Sequence, residues 1–341
     1  MYRRERSVAL AAGPSALYNN LSVLALPARG LTCYGVVHGP AAQLLSTTPD
    51  GQPLCQRQLT AKDGAAAAAA IGLSPSLVTQ VDWCALPSRL LLVLTSQRGI
   101  QIYETDGSIM VYWHALDPGE SPPGHSTFAR GIAARGHFIC VGTGSGRVLV
   151  FDVPPKGPNV TLSEELLEHR VPVTDIAAEA GPGQAQGDAA DVVTADDDGQ
   201  LCVWKSGPEF QLLTRIPGWG CPCPSVRLWR GVVAAGFGDG QIRVHEAATG
   251  ALRVQIDAHA RGLCALDLAP EAGKLLSAAE DSFVHVWQLS RTQDGGTEVQ
   301  HCHSERVTDT QVCGARFCDP AGSSFAVAGY DLGEILRYGP N

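Results

Sequence analysis

The sequence predicts an all-β fold, a seven-bladed β-propeller that forms one domain over residues 1–341. Three observations predict it. Short apolar segments with strand-like alternation recur along the chain, and turns that contain Gly or Asp separate them. Two of these segments carry the same polar residues at the same spacing, which indicates a repeat. The two ends of the chain supply strands that can complete one blade together, as a closed ring requires.

Two segments share one polar pattern: a histidine that opens a strand, a hydroxyl residue in the next strand, an Asp in the following turn and a Trp in the third strand. The first set is His169, Thr194, Asp198 and Trp204, and the second is His259, Ser277, Asp281 and Trp287. In a four-stranded blade the histidine can link the carboxylate to the hydroxyl, and the hydroxyl oxygen can accept the indole N–H. Every buried polar group then has a partner, which makes its burial tolerable.

This pattern resembles the structural tetrad of WD-repeat β-propellers, and a repeat of about 40–45 residues fits that family. Five further blades follow by register and lack the tetrad, so we expect apolar packing alone to hold them. These degenerate copies lie at residues 31–51, 90–104, 138–152, 232–245 and 324–338.

The ends of the chain explain how the ring closes. The chain stops after the third strand of the last blade, whereas the first strand-like segment has no partner of its own. We therefore predict that residues 1–12 fill the vacant outer position of the last blade and remove two exposed edges. Residues 61–76, with a run of six alanines, and the Gly- and Ala-rich residues 179–190 are predicted to be flexible loops.

Composition and charge limit the function classes. The formal net charge of −9 disfavours nucleic acid as a ligand, because phosphate binding uses clustered Lys and Arg. No apolar run reaches the length of a membrane helix, and the apolar stretch near the N-terminus is too short for a signal peptide. The eleven cysteines are scattered and odd in number, which favours reduced thiols. We expect a cytoplasmic protein without a transmembrane segment.

Two patterns could indicate catalysis or metal binding. The tetrads contain the residue types of a serine hydrolase triad, but each hydroxyl lies mid-strand in an apolar run, where a nucleophile would be enclosed. Cys221 and Cys223, with His301 and His303, could suggest zinc, but a Cys-x-Cys spacing is tighter than usual for such sites. Solvated histidines and core cysteines are the simpler interpretation.

Two glycine-rich stretches, at residues 142–146 and 236–240, resemble phosphate-binding loops. Such loops precede a helix whose N-terminus meets the phosphates, whereas a strand follows each stretch here. We interpret both as hairpin turns. The sequence thus predicts no catalytic residue, no cofactor and no metal.

Function is then expected from surfaces. In a propeller, the turns between second and third strands and the loops between blades share one face around the central channel. Aromatic side chains there are candidate anchors for a protein partner, since Trp and Tyr dominate interface hot spots. The candidate residues are Arg98, Asp197, Trp219, Phe237, Phe283 and Tyr330. The alternative is that these side chains only fill space between blades.

Four stretches are not generic WD-repeat sequence and resemble one branch of that family: residues 2–7, 35–40, 111–116 and 313–318. The resemblance implies a non-enzymatic, cytoplasmic and vesicle-associated scaffold, linked to receptor signalling and membrane traffic, which can self-associate. One rival is a substrate receptor of a cullin-type ubiquitin ligase, although Gln288 replaces the Asp of the family's docking signature and Arg291 comes one place late. The other is an enzyme or phosphopeptide reader that uses the central channel.

Overall fold

The computed structural model describes residues 2–62, 75–117, 127–179, 189–293, 295–307 and 309–341. Most of the two predicted flexible loops lies outside these ranges. In the described ranges, antiparallel strands form seven sheets, which confirms the seven-bladed propeller. No helix there has the length and apolarity needed to cross a lipid bilayer.

Two short strands precede the first blade, β1 (Tyr2–Arg4) and β2 (Val8–Ala9). Blade 1 contains β3 (Ser22–Leu26), β4 (Leu31–His38), β5 (Ala41–Thr47) and β6 (Pro53–Thr60), with a single-turn 3₁₀ helix at Pro27–Arg29. Blade 2 contains β7 (Val78–Ala85), β8 (Leu90–Ser96), β9 (Gly99–Glu104) and β10 (Met110–Ala115). Blade 3 contains β11 (Ala129–Arg135), β12 (Phe138–Thr143), β13 (Val148–Asp152) and β14 (Thr161–Leu166).

The remaining blades follow the same order. Blade 4 contains β15 (Val173–Ala178), β16 (Val192–Asp196), β17 (Leu201–Lys205) and β18 (Gln211–Ile216). Blade 5 contains β19 (Ser225–Trp229), β20 (Val232–Gly236), β21 (Gln241–Glu246) and β22 (Leu252–Asp257). Blade 6 contains β23 (Leu263–Ala269), β24 (Lys274–Ala279), β25 (Phe283–Arg291) and β26 (Thr297–Arg306). Blade 7 contains β27 (Val312–Phe317), β28 (Phe325–Gly329) and β29 (Glu334–Pro340).

The first strand of each blade lies innermost and the last lies at the rim. The turns between second and third strands and the loops that lead into the next blade lie on one face, here called the upper face. Both glycine-rich stretches are turns of this kind, between β12 and β13 and between β20 and β21. Gly146 and Gly240 have φ angles of 85° and 87°, a conformation that favours glycine. The interpretation of these stretches as hairpin turns is confirmed.

Apolar side chains pack between the blades. The described residues form seven buried clusters, and each cluster joins one pair of neighbouring blades around the ring. The cluster between blades 7 and 1 includes Tyr34 of β4, Ile335 of β29 and Val8 of β2. The N-terminal segment therefore belongs to the core of the ring.

The predicted closure of the ring is confirmed, with two strands where one was expected. Both β1 and β2 pair antiparallel with β29, so they occupy the outer position of blade 7. Arg3 lies opposite Gly339, and Val8 lies opposite Ile335. Chain closure in this way leaves β29 without a free edge.

Closure can be tested with two adjacent residues on opposite faces of β2. Val8 is fully buried between blades 7 and 1, whereas Ala9 is exposed. We expect Val8→Asp to lower the Tm by about 5 °C, because it places an unpaired charge in the core. Thermal unfolding followed by circular dichroism measures the change. The control Ala9→Asp should leave the Tm near the wild-type value, and equal values for both variants would contradict the closure.

Candidate interaction face

The tetrad of blade 6 forms as predicted. Nδ1 of His259 lies 3.2 Å from each carboxylate oxygen of Asp281, and Nε2 lies 2.8 Å from the Ser277 hydroxyl. The Trp287 indole N–H donates to the same hydroxyl oxygen at 2.9 Å. Burial opposes ionisation of Asp281, but hydrogen bonds from His259 and from the Ala260 N–H outweigh it and lower the pKa of the carboxyl to about 2. The tetrad thus links the loop before blade 6 to the turn between β24 and β25.

The tetrad of blade 4 forms with a different carboxylate. Nδ1 of His169 lies 2.8 Å from Oδ2 of Asp196, and Nε2 lies 2.7 Å from the Thr194 hydroxyl. The Trp204 indole donates to Thr194 at 3.1 Å. The prediction of Asp198 is wrong, since this residue is exposed in the turn. Asp196 ends β16 with a buried side chain, and its Oδ1 also accepts the N–H of Asp198, so it fixes the turn as well.

Both tetrad hydroxyls are enclosed. Thr194 and Ser277 are fully buried, and each oxygen is shared between an imidazole and an indole. A hydroxyl held in this way braces the upper face and is closed to a substrate. Of the cysteines considered and set aside as zinc ligands, Cys221 is half-buried and Cys223 is buried. Within the described ranges, no three His, Cys, Asp or Glu residues are arranged to hold a metal ion.

Further histidines surround the tetrad of blade 6. The His285 ring lies 4.6 Å from the His259 ring and 5.5 Å from the His301 ring, measured between centroids. The Ser304 hydroxyl lies 2.8 Å from Nδ1 of His285 and 2.9 Å from Nε2 of His301. Burial, then the neighbouring His259 and His301, lower the pKa of His285 to about 4. His285 is therefore neutral at physiological pH.

Trp219 is the most developed candidate anchor on the upper face. It lies in the loop between β18 and β19, and 39% of its surface is exposed. Its ring centroid lies 4.2 Å from that of Phe237, and the Arg243 guanidinium lies 3.3 Å from the centre of the indole. Contact with an arginine cation and a second ring fixes the orientation of the indole.

Phe237 was predicted to be a second exposed anchor, and that prediction is wrong. Its side chain is fully buried in the cluster between blades 4 and 5. It follows β20 with its ring turned inward, where Trp219 covers it. Phe237 therefore supports Trp219 from below and does not itself present a surface to a partner.

The other four candidates are distributed around the ring. Arg98 and Asp197 are exposed in the turns of blades 2 and 4, and Tyr330 is 53% exposed in the turn of blade 7. Phe283 is half-buried at the start of β25 and stacks on the His285 ring at 5.8 Å. Burial, then repulsion from Asp198, raises the pKa of Asp197. They belong to four different blades, and the turn that holds Asp197 contacts the Trp219 loop, since the Gly220 N–H donates to Asp198 O at 3.1 Å.

The mouth of the central channel is covered by the chain itself, which sequence reasoning missed. Residues 18–20, here called the channel cap, belong to the segment between β2 and the first strand of blade 1, and they cross the upper face. The Asn19 N–H donates to Cys264 O of blade 6 at 2.8 Å, and the Asn20 N–H donates to Cys313 O of blade 7 at 2.9 Å. Both asparagines are almost fully buried. The available signal was an Asn pair just before a strand, since Asn tolerates the left-handed conformation that Asn19 adopts.

Beneath the cap, charged side chains of the innermost strands form a continuous network. Arg316 lies 3.2 Å from Asp82 and 3.1 Å from Asp267. Arg227 lies 3.6 Å from Asp267 and 3.0 Å from Asp175. Five blades are thereby joined across the channel. These groups bond to one another, so the network lends no support to a ligand in the central channel.

The family model described as WDR54 matches residues 1–340 of this chain. The chain belongs to the WDR54 family. It is 67% identical to WD repeat-containing protein 54 of Mus musculus over 340 residues, which cover 99% of both chains. It is 66% identical to the Homo sapiens protein of the same name over 339 residues, again 99% of both. The resemblance to one branch of the WD-repeat proteins is confirmed.

Solved structures share the fold of this chain. A chain in the crystal structure of a mitotic checkpoint complex matches with a TM-score of 0.72 and 17% identity, over 98% of this chain and 91% of that chain. The WD40 repeats of RRP9 match with a TM-score of 0.67 and 14% identity, over 100% of this chain and 97% of that chain. At such low identity these matches show a shared propeller fold.

The tetrad of blade 4 allows two neighbouring aspartates to be compared. We expect Asp196→Ala to reduce the free energy of unfolding by about 3 kcal/mol, because it leaves the buried His169 and the partly buried N–H groups of Asp198 and Gln200 without their acceptor. Asp198→Ala should change it by less than about 0.5 kcal/mol, because that side chain is exposed. Urea unfolding of the two variants measures the difference. A larger loss from Asp198→Ala would restore the assignment made from spacing alone.

The histidine cluster predicts how stability depends on pH. The folded-state pKa of His285, about 4, lies below its ordinary value of 6.5. The contribution of His285 to the free energy of unfolding is therefore complete above pH 6.5 and is lost as pH falls towards 4. The contribution of Asp281 to stability is lost only as pH falls below the ordinary pKa of its carboxyl, 3.8, towards the folded-state pKa of about 2. We expect His285→Gln to flatten the decline between pH 6.5 and 4 in urea unfolding measured over a pH series. His137→Gln, at an exposed histidine, serves as the control and should retain the wild-type slope.

Proposed function

We propose that this chain is a non-enzymatic scaffold whose upper face binds other proteins, with Trp219 as its anchor. The WD-repeat propeller is a fold suited to such contacts, and the chain's membership of a WD-repeat family supports the proposal. The observation that carries it is the exposed Trp219 indole, held by Phe237 and Arg243 before any partner arrives. A preorganised aromatic anchor loses little conformational freedom on binding, which favours affinity.

A groove lies beside this anchor. It has a volume of about 500 Å³, and the loops on both sides of blade 4 line it. Gly218 and Gly220, which flank Trp219, line it from the loop after blade 4, and the exposed Leu167 lines it from the loop before blade 4. Arg170 and Asp198 add opposite charges to the rim. The arrangement suits a short extended segment of a partner that places one apolar side chain beside the indole.

We further propose that the protein acts in the cytoplasm and on vesicles, in receptor signalling and membrane traffic, and that it can self-associate. The likeness to one branch of the WD-repeat family supports this setting. The eleven cysteines support the cytoplasmic part, since all are free thiols in the structure, as a reducing compartment favours.

The geometry does not favour the alternative of a cullin-type ubiquitin ligase receptor. Arg291, the arginine nearest to the family's docking signature, donates to both carboxylate oxygens of Glu246 at 2.9 and 3.0 Å. This bidentate pair joins blades 5 and 6 and raises the pKa of Arg291, with the hydrogen bond to Glu246 as the main cause. The arginine is thus engaged within the ring.

The scaffold proposal is tested by proximity labelling of the full chain in cells, with wild type compared with Trp219→Ala. We expect the variant to lose a defined set of partners by about tenfold or more in recovery, since anchor residues contribute most of the binding energy. Leu252→Ala, at a 48% exposed residue on the outer strand of blade 5, is the matched control and should keep the wild-type partner set. An unchanged partner set for Trp219→Ala would refute the role of this face.

A further inference from the structure

A second pocket opens on the upper face, where the chain segment around the channel cap meets blades 1, 2 and 3. Its volume is about 280 Å³. Most of its wall is apolar, and four polar side chains interrupt that wall. The apolar side chains are Ala16, Leu17, Leu77, Val78 and Phe128, and the polar ones are Ser15, Thr79, Gln97 and Arg130.

Arg130 is the unusual member of this lining. Only 6% of the residue is exposed, and its guanidinium lies 3.3 Å from the centre of the Tyr18 ring. Nη2 donates to the Tyr18 carbonyl, whereas Nε is buried and has no hydrogen-bond partner. In the part of the chain that the structure describes, no carboxylate forms an ion pair with it, unlike Arg227 and Arg316 in the channel. The Tyr18 ring and carbonyl do not neutralise the charge, and a buried cation without a carboxylate partner is costly, so the pocket is complementary to an anion.

The backbone around Arg130 is shaped to hold it there. A β-bulge interrupts the pairing of β11 between Arg130 and Ile132, and the intervening Gly131 has a φ of 80°. A bulge bends its strand and redirects the neighbouring side chain. The Gly131 N–H donates to Oε1 of Gln80 in blade 2 at 2.9 Å, which locks the bulge against the next blade.

Gln97 supplies a second polar group at the rim. Its Oε1 accepts the Leu77 N–H at 3.0 Å, which leaves the side-chain NH₂ group as a hydrogen-bond donor. Arg98, the next residue in the same turn, is exposed and adds positive charge to this part of the face. Of the other polar side chains in the wall, the Ser15 hydroxyl accepts the Gly39 N–H, and the Thr79 hydroxyl donates to the Ala129 carbonyl. Arg130 is therefore the one charged side chain among the described residues that line the pocket.

We infer that this pocket binds a segment of a partner protein in which a carboxylate adjoins a leucine-sized apolar side chain. The carboxylate would pair with Arg130, and the apolar side chain would contact Leu77 and Phe128. The volume lies below the roughly 300–1,000 Å³ of typical small-molecule sites, which suits one inserted side chain. The inference rests on the proposed function, because it names the chemistry of one segment recognised by the upper face.

The first experiment uses N-acetyl-leucine as the probe and N-acetyl-leucinamide as its uncharged counterpart. Methyl NMR of the full chain reports on Leu77 and Val78 directly. We expect N-acetyl-leucine to shift these methyl signals with a Kd of about 1 mM, and the amide to bind about tenfold more weakly or less. Equal binding of the two probes, or no shift from either at that concentration, would overturn the inference.

Two variants distinguish loss of the binding site from misfolding of the chain. Arg130→Met removes the charge and should abolish the preference for the acid over the amide. Leu77→Asp places a carboxylate beside Arg130 from a residue that is 48% exposed, so it should block the probe and leave the fold intact. Leu252→Asp, at a residue with the same 48% exposure on another strand, is its control and should bind the probe as wild type does. If N-acetyl-leucine binds Leu77→Asp as tightly as wild type, the probe binds elsewhere and the assignment of this pocket is refuted.

Proximity labelling then separates this inference from the scaffold proposal. We expect Leu77→Asp to lose partners that Leu252→Asp retains. If Trp219→Ala loses partners and Leu77→Asp keeps the wild-type partner set, the scaffold proposal holds and the proposed role of the pocket is refuted. Binding of N-acetyl-leucine with no partner lost would identify a site for a free small acid, which also contradicts a protein segment as the ligand.

Discussion

Burial of apolar side chains between neighbouring blades is the interaction on which the rest of the structure depends. A twisted four-stranded blade has two apolar faces, and only another blade on each side can cover both. Seven clusters in the described residues meet this requirement around the whole ring, including the junction where the two ends of the chain meet. The upper face inherits its rigidity from this packing, since Phe237 belongs to one of these clusters and carries Trp219 above it.

Polar bonding adds specificity at two scales. The tetrads act within one blade, whereas the channel network joins Asp82, Arg316, Asp267, Arg227 and Asp175 across five blades. Blades without a tetrad lose little by its absence, because a hydroxyl and an indole can be replaced together by apolar groups of suitable shape.

Blade 3 illustrates this replacement. Counted from the positive-φ glycines of the equivalent turns, Val141 and Phe151 occupy the positions that Thr194 and Trp204 hold in blade 4. Both are fully buried, so no polar atom is left without a partner there.

Sequence reasoning succeeded where a local pattern determines the outcome. Alternation and turn residues gave the strands and the seven blades, and the spacing around Ser277 gave one complete tetrad. It failed at Asp196, because three consecutive aspartates satisfy nearly the same spacing. Only Asp196, the last residue of β16, directs its carboxylate towards His169. It also failed at Phe237, whose burial depends on a loop from the preceding blade.

The channel cap and the Arg130 pocket were beyond the reach of sequence patterns. Asn19 bonds to residues more than two hundred positions away, and no periodicity links such residues. The pocket is made by three separate parts of the ring, and its key property is a buried cation without a carboxylate partner. Such a property is visible only when all neighbours in space are known.

The position of the closing strands has a consequence for the synthesis of the protein. β1 and β2 are made before blade 1, yet their partner β29 is made only after six complete blades. These two strands therefore wait without their partner while six blades are translated, and the ring closes only once β29 is available. Contacts of such high sequence separation form slowly, and exposed apolar strands invite aggregation in the meantime. The nascent chain thus has a defined interval of exposure, and that interval ends when β1 and β2 pair with β29.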